Sequence, residues 1–365
     1  MKQKSTGNAR PRQSRQSTAP PTYRLEIAVP FGLTEITQTE IKQRFAGRAI
    51  VRWVERDHIL CDYAGDLSAL LALQTVTAVY LIAAFAVPRP RALLGEAHLR
   101  TLLERISSVQ RLVPPDAYQT LSLSAAGSTS SVMTRLKEEV ASRAGLNVVP
   151  RDGDLQLRLR RSHSGTGWEV LIRLSPRPLA TRAWRVCNME GALNGALAHA
   201  MVLLTQPRPG DVFLNPGCGS GTLLIERAAA APAASIIGVD IDPRALECAL
   251  WNIAASRYGN RIELHNWDAR HLPLPDRSVD ALCADLPFGH LIGSVEDNKL
   301  LYPGIIREAA RVARPGARFA VVTHQVRLME TVLARSAEWN IERAMTVGLG
   351  RLRPHLFVFR RLPFP

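Results

Sequence analysis

The chain has 365 residues, 46% of them hydrophobic, which is enough for two domains with a proper core. Its formal net charge is +14, so its surface attracts polyanions, either nucleic acid or an anionic membrane, and nucleic acid is the better fit. The five cysteines (Cys61, Cys187, Cys218, Cys248, Cys283) are widely spaced and form no CxxC pair, which argues against a disulfide framework and a structural zinc site and for a reducing cytoplasm.

Residues 1–22 read as a disordered basic tail: Lys2, Lys4, Arg10, Arg12 and Arg15 stand among Ser, Thr, Gln and Pro, with no acid. No apolar run follows the first lysines, so no secretory leader is expected. Order starts with an alternating strand, Tyr23 to Val29, and a helix from Glu35 to Arg44 capped by Thr34. Strands follow at Ala49–Val54 and His58–Cys61. The apolar stretch Ala69–Val87 is broken by Gln74, Thr75 and Thr77, so it reads as a helix (Leu67–Gln74) and a strand (Ala78–Val87) and not as a membrane span. After Pro88 and Pro90 come a helix at Ala97–Ser108, a strand at Ala117–Ser124 and a helix at Ser130–Ala144. The strands Leu155–Arg161 and Trp168–Leu174 form a hairpin. With Arg160, Arg161, Arg173 and Arg177 it offers a basic face, or else an ordinary solvated strand face. Residues 23–180 therefore read as an α+β region.

From about Thr181 strands and helices alternate. A helix at Ala192–Leu204 leads to Val212–Asn215, Leu223–Ala230, Ser235–Val239, Pro243–Ala255, Ile262–Asn266, Ala281–Ala284, Asn298–Val312 and Arg318–Val322. This is the pattern of a Rossmann-like, doubly wound parallel sheet over residues 181–365. An antiparallel hairpin, Arg343–Leu349 and Leu356–Arg360 around Gly350, ends it.

Four features at strand ends carry chemistry. The run Asn215-Pro-Gly217-Cys-Gly219-Ser220-Gly221-Thr222 takes a buried strand through a glycine turn into a helix, where free backbone N–H groups meet a ligand. Asp240, with Ile241 after it, ends the next strand about twenty residues on, where an acid can hold two ribose hydroxyls. These two features fit either a dinucleotide or S-adenosylmethionine. Asp268 and Ala269 follow a third strand, and a carboxylate there can accept a hydrogen bond from an adenine amine. Asp285-Leu286-Pro287-Phe288 ends a fourth and resembles the (D/N/S)-P-P-(Y/F) motif of amino-directed methyltransferases, which selects S-adenosylmethionine. An exocyclic amine conjugated with its ring is a poor nucleophile. Asp285 and the carbonyl of Leu286 can bind its protons and orient the lone pair, while Phe288 stacks on the base. No metal is needed.

With these motifs in place, the chain from Tyr23 onward resembles the THUMP-domain tRNA guanine-N2 methyltransferases. Val29-Pro-Phe-Gly-Leu-Thr-Glu-Ile36 is similar to the start of their ferredoxin-like domain, and Leu174-Ser-Pro-Arg-Pro-Leu-Ala-Thr-Arg182-Ala-Trp-Arg185 to the exit from their THUMP domain. Gly191-Ala-Leu-Asn194 resembles the segment that closes over the cofactor. The resemblance implies that the N-terminal half binds tRNA near its 3′ end, and a monomer is expected. It also implies N2-methylguanosine in the acceptor stem, at position 6 first and position 10 next. Two residues depart from the family pattern: Asn215 stands where Asp is usual, and Leu291 where Arg is usual after Gly289 and His290. The alternatives are an rRNA guanine-N2 methyltransferase, a DNA adenine methyltransferase, and a noncatalytic RNA-binding protein on a degenerate methyltransferase fold.

Overall fold

Period-two alternation in the first half of the chain builds one broad sheet. The computed structural model describes residues 21–127, 129–163, 165–287, 295–348, 350 and 352–363. All but the last two residues of the expected basic tail lie outside them, as do Phe288 and Leu291. The elements of this half are β1 (Thr22–Ala28), α1 (Thr34–Arg44), β2 (Ala49–Val54), β3 (His58–Ala64), β4 (Ala78–Phe85), α2 (Glu96–Gln110), β5 (Thr120–Ala125), α3 (Ser131–Ala144), β6 (Asn147–Val148), β7 (Leu155–Arg161) and β8 (Trp168–Arg173). The strand order is β2-β3-β1-β4-β8-β7-β5-β6. Strand β1 is central and pairs antiparallel with both β3 and β4, which sets Leu25 beside Cys61 and Leu81. Leu25, Ile27, Ile59, Leu81, Leu157 and Ile172 are buried with Ile41, Leu102 and Leu136 of the three helices. Each such side chain contributes roughly 1.5–3 kcal/mol of burial. The alternate positions, among them Arg24, Glu26, Arg158, Arg160 and Glu169, share the opposite face.

The second half contains α4 (Gly195–Leu204), β9 (Val212–Pro216), α5 (Thr222–Ala230), β10 (Ser235–Val239), α6 (Pro243–Ala255), β11 (Ile262–His265), β12 (Val279–Asp285), α7 (Val295–Val312), β13 (Ala313–Thr323), α8 (Val326–Ala334), β14 (Trp339–Thr346) and β15 (His355–Arg361). Its sheet runs β11-β10-β9-β12-β13-β15-β14. Strands β9 to β13 are parallel, and β15 is antiparallel to both its neighbours. The chain winds outward from β9 to β11 and then returns to β12 on the other side of β9. That reversal opens a crevice at the carboxyl ends of β9 and β12, where such sheets bind ligands.

The two sheets share one unbroken apolar core, from Leu25 to Val358. Two polar joints add to it. In the first, Arg182 is buried and donates to Glu226 (2.7 Å), to Leu179 O (2.8 Å), and across to Gln74 O of the N-terminal half (2.7 Å). His199 Nδ1 also meets Glu226, at 2.9 Å. Burial alone would raise the Glu226 carboxyl, but the hydrogen bond from His199 and the charge of Arg182 hold it below its ordinary value. In the second, Gly348 N donates to Phe31 O at 2.9 Å. Gly32 has φ +86°, and a Cβ there would lie 2.3 Å from Thr346 O, so only glycine fits this joint.

Several expectations change. The helix expected at Leu67–Gln74 is a 3-10 turn, Leu67–Ala72, which Asp66 caps by accepting from Ser68 N at 2.9 Å. Thr34 lies inside α1 and Leu33 is the cap, with no side-chain bond. Helix α4 starts at Gly195, because Asn194 accepts from Ala196 N (2.9 Å) and Leu197 N (3.3 Å). Helix α8 and the short β6 had no expected counterpart. Of the basic hairpin face, Arg173 is buried against the carbonyls of Gly153, Asp154, Ser175 and Pro176, Arg160 is half-buried and pairs with Glu26 and Glu169, and Arg161 and Arg177 are exposed. Cys187 and Cys248, 61 residues apart, form a disulfide, contrary to the reading of unpaired cysteines. The fold brings their Cα atoms to 5.5 Å, a proximity that spacing in sequence does not show. Among the described residues no helix is long and apolar enough to cross a membrane.

Candidate active site

Strand β9 carries Asn215 into the crevice. Asn215 is fully buried and its Nδ2 donates to Cys283 O of β12 at 2.9 Å. A carboxylate could not make that bond, so the amide suits this strand pair. Its Oδ1 is also buried and has no partner among the described residues. A buried acceptor left open at a crevice is a place for a ligand's donor.

The turn that follows is built on positive φ: Gly217 at +71°, Gly219 at +51° and Gly221 at +80°. A Cβ on Gly217 or Gly219 would meet nothing within 4 Å, so the loop is bare on that side and a ligand can approach the backbone. Cys218 N donates to Val239 O (2.8 Å) and Gly219 N to Asp240 Oδ2 (2.8 Å), which pins the loop to β10. Asp240 Oδ1 also accepts from Asp242 N at 3.0 Å. Asp240 therefore braces the turn, with lone pairs remaining on both oxygens. Ile241 beside it is 69% exposed, a flat apolar surface at the crevice rim. Asp268 is gripped by Arg270 through Nε (3.0 Å) and Nη2 (2.7 Å), which pulls its carboxyl down to about 2. Ser220 and Thr222 are buried, and Thr222 accepts from Arg185 at 3.0 Å.

Asp285 is the last residue of β12, and the chain leaves the sheet with Leu286 N donating to Val322 O at 3.1 Å. Burial pushes the Asp285 carboxyl up to about 7. Such a group sits between its acid and base forms near neutrality, as proton-handling sites often do. The next turn is fixed through Pro287 O, which accepts from Asn298 Nδ2 (2.8 Å) and Tyr302 Oη (2.8 Å). Tyr302 Oη meets Thr323 Oγ1 at 2.7 Å, and Thr323 Oγ1 accepts from Gln325 N at 2.9 Å. Hydroxyl protons therefore run in one direction, from Thr323 to Tyr302 to Pro287 O, and each bond polarises the next. Asn298, Tyr302 and Thr323 are completely buried. Burial also holds the thiols of Cys218 and Cys283 protonated, so neither is a nucleophile.

The fold thus gathers Asn215, the glycine loop, Asp240, Ile241 and Asp285 at one edge of one sheet. Asn194 is a helix cap, and its carboxamide oxygen is already used. Sequence reading missed Asn298, Tyr302 and Asn252. Asn252 is buried in α6 and makes four bonds: from Val186 N and Cys187 N, and to Cys187 O and Ser220 O. It ties the segment before α4 to the glycine loop, beside the disulfide. A polar residue mid-helix was its one signal. A further set, one ligand atom each from Glu26, His58 and His163 within 4.8 Å, lies on the first sheet, where Glu26 is already paired with Arg160.

Residues 182–355 match a protein family described as RMKL-like, methyltransferase domain. The mouse tRNA (guanine(6)-N(2))-methyltransferase THUMP3 is 32% identical over 182 residues, covering 46% of this chain and 36% of that protein. The Thermus thermophilus tRNA (guanine(6)-N2)-methyltransferase is 32% identical over 192 residues, covering 52% of this chain and 56% of that protein. The chain thus matches about half or less of the length of these relatives. Among solved structures, TrmN from Thermus thermophilus superposes with a TM-score of 0.73 at 25% identity, over 94% of this chain and all (100%) of that one. SMU.472, complexed with SAH, gives 0.66 at 15% identity over 94% and 99%. The α/β architecture is that of these structures, and residues 182–355 match a methyltransferase domain.

Proposed function

We propose that this protein transfers a methyl group from S-adenosylmethionine to the exocyclic N2 amine of a guanine in tRNA, at position 6 of the acceptor stem. The observation that carries the reading is the end of β12. There a carboxyl with a raised affinity for protons, Asp285, stands next to a turn whose Pro287 carbonyl is held by two fully buried donors. The names of the relatives supply the base and the nucleic acid.

The site's residues fit the cofactor. The open Oδ1 of Asn215 accepts from its ammonium group, the bare backbone at Gly217 and Gly219 lies against its amino-acid end, and Asp240 takes the ribose hydroxyls. Ile241 covers one face of the adenine. Asp268 receives the adenine amine on the lone pairs that Arg270 leaves free, and Ala269 borders the ring. S-adenosylmethionine brings a methyl group already activated on sulfur, so the protein's contribution is positioning. Asp285 accepts one N2 proton of the guanine in a hydrogen bond, and the carbonyl of Leu286 accepts the other. This directs the nitrogen lone pair toward the methyl group, and Asp285 takes the proton released as the new bond forms. Phe288, outside the described residues, stacks on the base. In this reading residues 23–180 are a ferredoxin-like and THUMP region that binds tRNA, residues 181–365 the catalytic domain, and the protein is a cytoplasmic monomer.

Incubation with labelled S-adenosylmethionine and an unmodified tRNA transcript tests it. Label in the tRNA supports the reading. Label only in rRNA fragments moves the target. Label in neither, with the cofactor still bound, identifies a noncatalytic RNA-binding protein.

A further inference from the structure

Resting on that reading, we infer that Arg56 and Arg353, gathered around Phe31 where the two halves of the chain meet, form a clamp for the RNA backbone beside the target nucleotide. Three turns converge here. The first, Pro30–Gly32, follows β1; the second, Glu55–Asp57, joins β2 and β3; the third lies between β14 and β15, where residues 347, 348, 350 and 352–354 are described. They are joined backbone to backbone: Val29 N to Asp57 O (2.8 Å), Gly32 N to Arg56 O (3.0 Å) and Gly348 N to Phe31 O (2.9 Å). The Phe31 ring, half-buried in this joint, carries the Arg56 guanidinium at 5.8 Å and that of Arg353 at 4.9 Å.

The backbone bonds already close the joint, so the two cations are not needed to hold it. Both arginines are exposed, and among the described residues neither is paired with a carboxylate. Arg52, Arg143, Arg160, Arg270, Arg311, Arg314, Arg318 and Arg343 meet acids, whereas Arg56 and Arg353, like Arg158 over Tyr80 and Arg161 over Trp168, rest on a ring instead. The acids beside Arg56 are occupied elsewhere. Glu55 accepts from Trp53 Nε1 at 3.2 Å, and Asp57 lies 3.0 Å from His58 Nδ1. Arg353 donates through Nη1 to Gly350 O (3.1 Å) and Leu352 O (3.0 Å), which fixes its head and leaves its remaining N–H groups. A guanidinium resting on a ring face keeps its in-plane donors for a phosphate.

The position relative to the reaction follows from strand register. Asp285 pairs with Val322, and the next residue, Thr323, pairs with His355, two residues after Arg353. Strand β15 is two strands from β12, about 10 Å across the sheet at ~4.8 Å per strand. Phosphates flanking a base drawn out into the Asp285 crevice lie within that reach. The ligand is therefore the phosphodiester backbone of the substrate RNA, held by one arginine from each half of the protein.

The test measures binding of an unmodified tRNA transcript by the full chain at several salt concentrations, for wild type, Arg56→Gln, Arg353→Gln and the double variant. Each single variant should bind about tenfold more weakly near 0.1 M salt. The slope of log affinity against log salt should fall by about one per arginine, with cofactor affinity unchanged. Arg353→Lys should recover the slope but only part of the affinity, because it keeps the charge and loses the planar fork. Wild-type affinity and slope in the double variant would overturn the clamp while the methylation reading stands. Failure of the wild-type protein to bind tRNA would overturn both.

Discussion

Asp285→Asn separates the two consequences of one half-buried carboxyl. In the folded protein this group is pushed up from 3.8 to about 7, so between those values the native state binds its proton more tightly than the unfolded chain does. Its contribution to stability is fully present below about pH 4 and is lost as the pH rises through about 7. A rise of about three units is worth about 4 kcal/mol at most. The asparagine keeps the shape and cannot ionise. At pH 8, without cofactor, the variant should therefore be more stable than wild type by up to about 4 kcal/mol, and the advantage should shrink to less than half of that at pH 5 and vanish below about pH 4. Urea unfolding of both proteins from pH 4 to pH 8 measures this directly. The same variant keeps an oxygen that accepts from the amine but no group that takes its proton, so methyl transfer should slow and lose its dependence on the Asp285 ionisation without being abolished. A bound sulfonium brings positive charge near Asp285, so wild-type activity should switch on with pH at a value below 7. Stability curves that run parallel across the whole range would refute the reasoning.

Tyr302→Phe removes the hydroxyl that holds Pro287 O and breaks the chain from Thr323. Single-turnover transfer should slow by about tenfold or more, at roughly 1–3 kcal/mol for the lost bonds, while calorimetry shows cofactor binding unchanged. Arg182→Ala leaves the buried Glu226 carboxylate with His199 as its partner and removes the bond to Gln74 O, and denaturant unfolding should show a loss of about 3 kcal/mol. Cys187→Ser opens the 61-residue crosslink, and unfolding under oxidising conditions should show a loss of at most about 4 kcal/mol, absent when both proteins are reduced.

The glycine loop, Asp240 and the end of β12 were legible because each is a short motif at a strand end, and a doubly wound sheet brings all strand ends of one sense to one edge. Strand and helix positions followed from periodicity for the same local reason. What was not legible depends on contacts between distant segments. Arg160 and Arg173 look like a basic stripe in sequence, and only the pairing of β7 with β8 shows their internal partners. Pairing across the sheet likewise revealed that Asn215 suits its place, through Cys283 O. The disulfide, the Arg182 joint and the Phe31 joint each link residues more than forty positions apart, or lie between halves of the chain, and no periodicity reports such contacts.

The central claim is that Asp285 directs methylation to the N2 amine of guanine. The most direct measurement is nucleoside analysis by mass spectrometry of a tRNA transcript after reaction, with wild type and Asp285→Ala in parallel. N2-methylguanosine should form with wild type and be absent with the variant, which should still bind S-adenosylmethionine with near wild-type affinity. A methyl group on another atom, or N2-methylguanosine formed at an undiminished rate by Asp285→Ala, would contradict the claim.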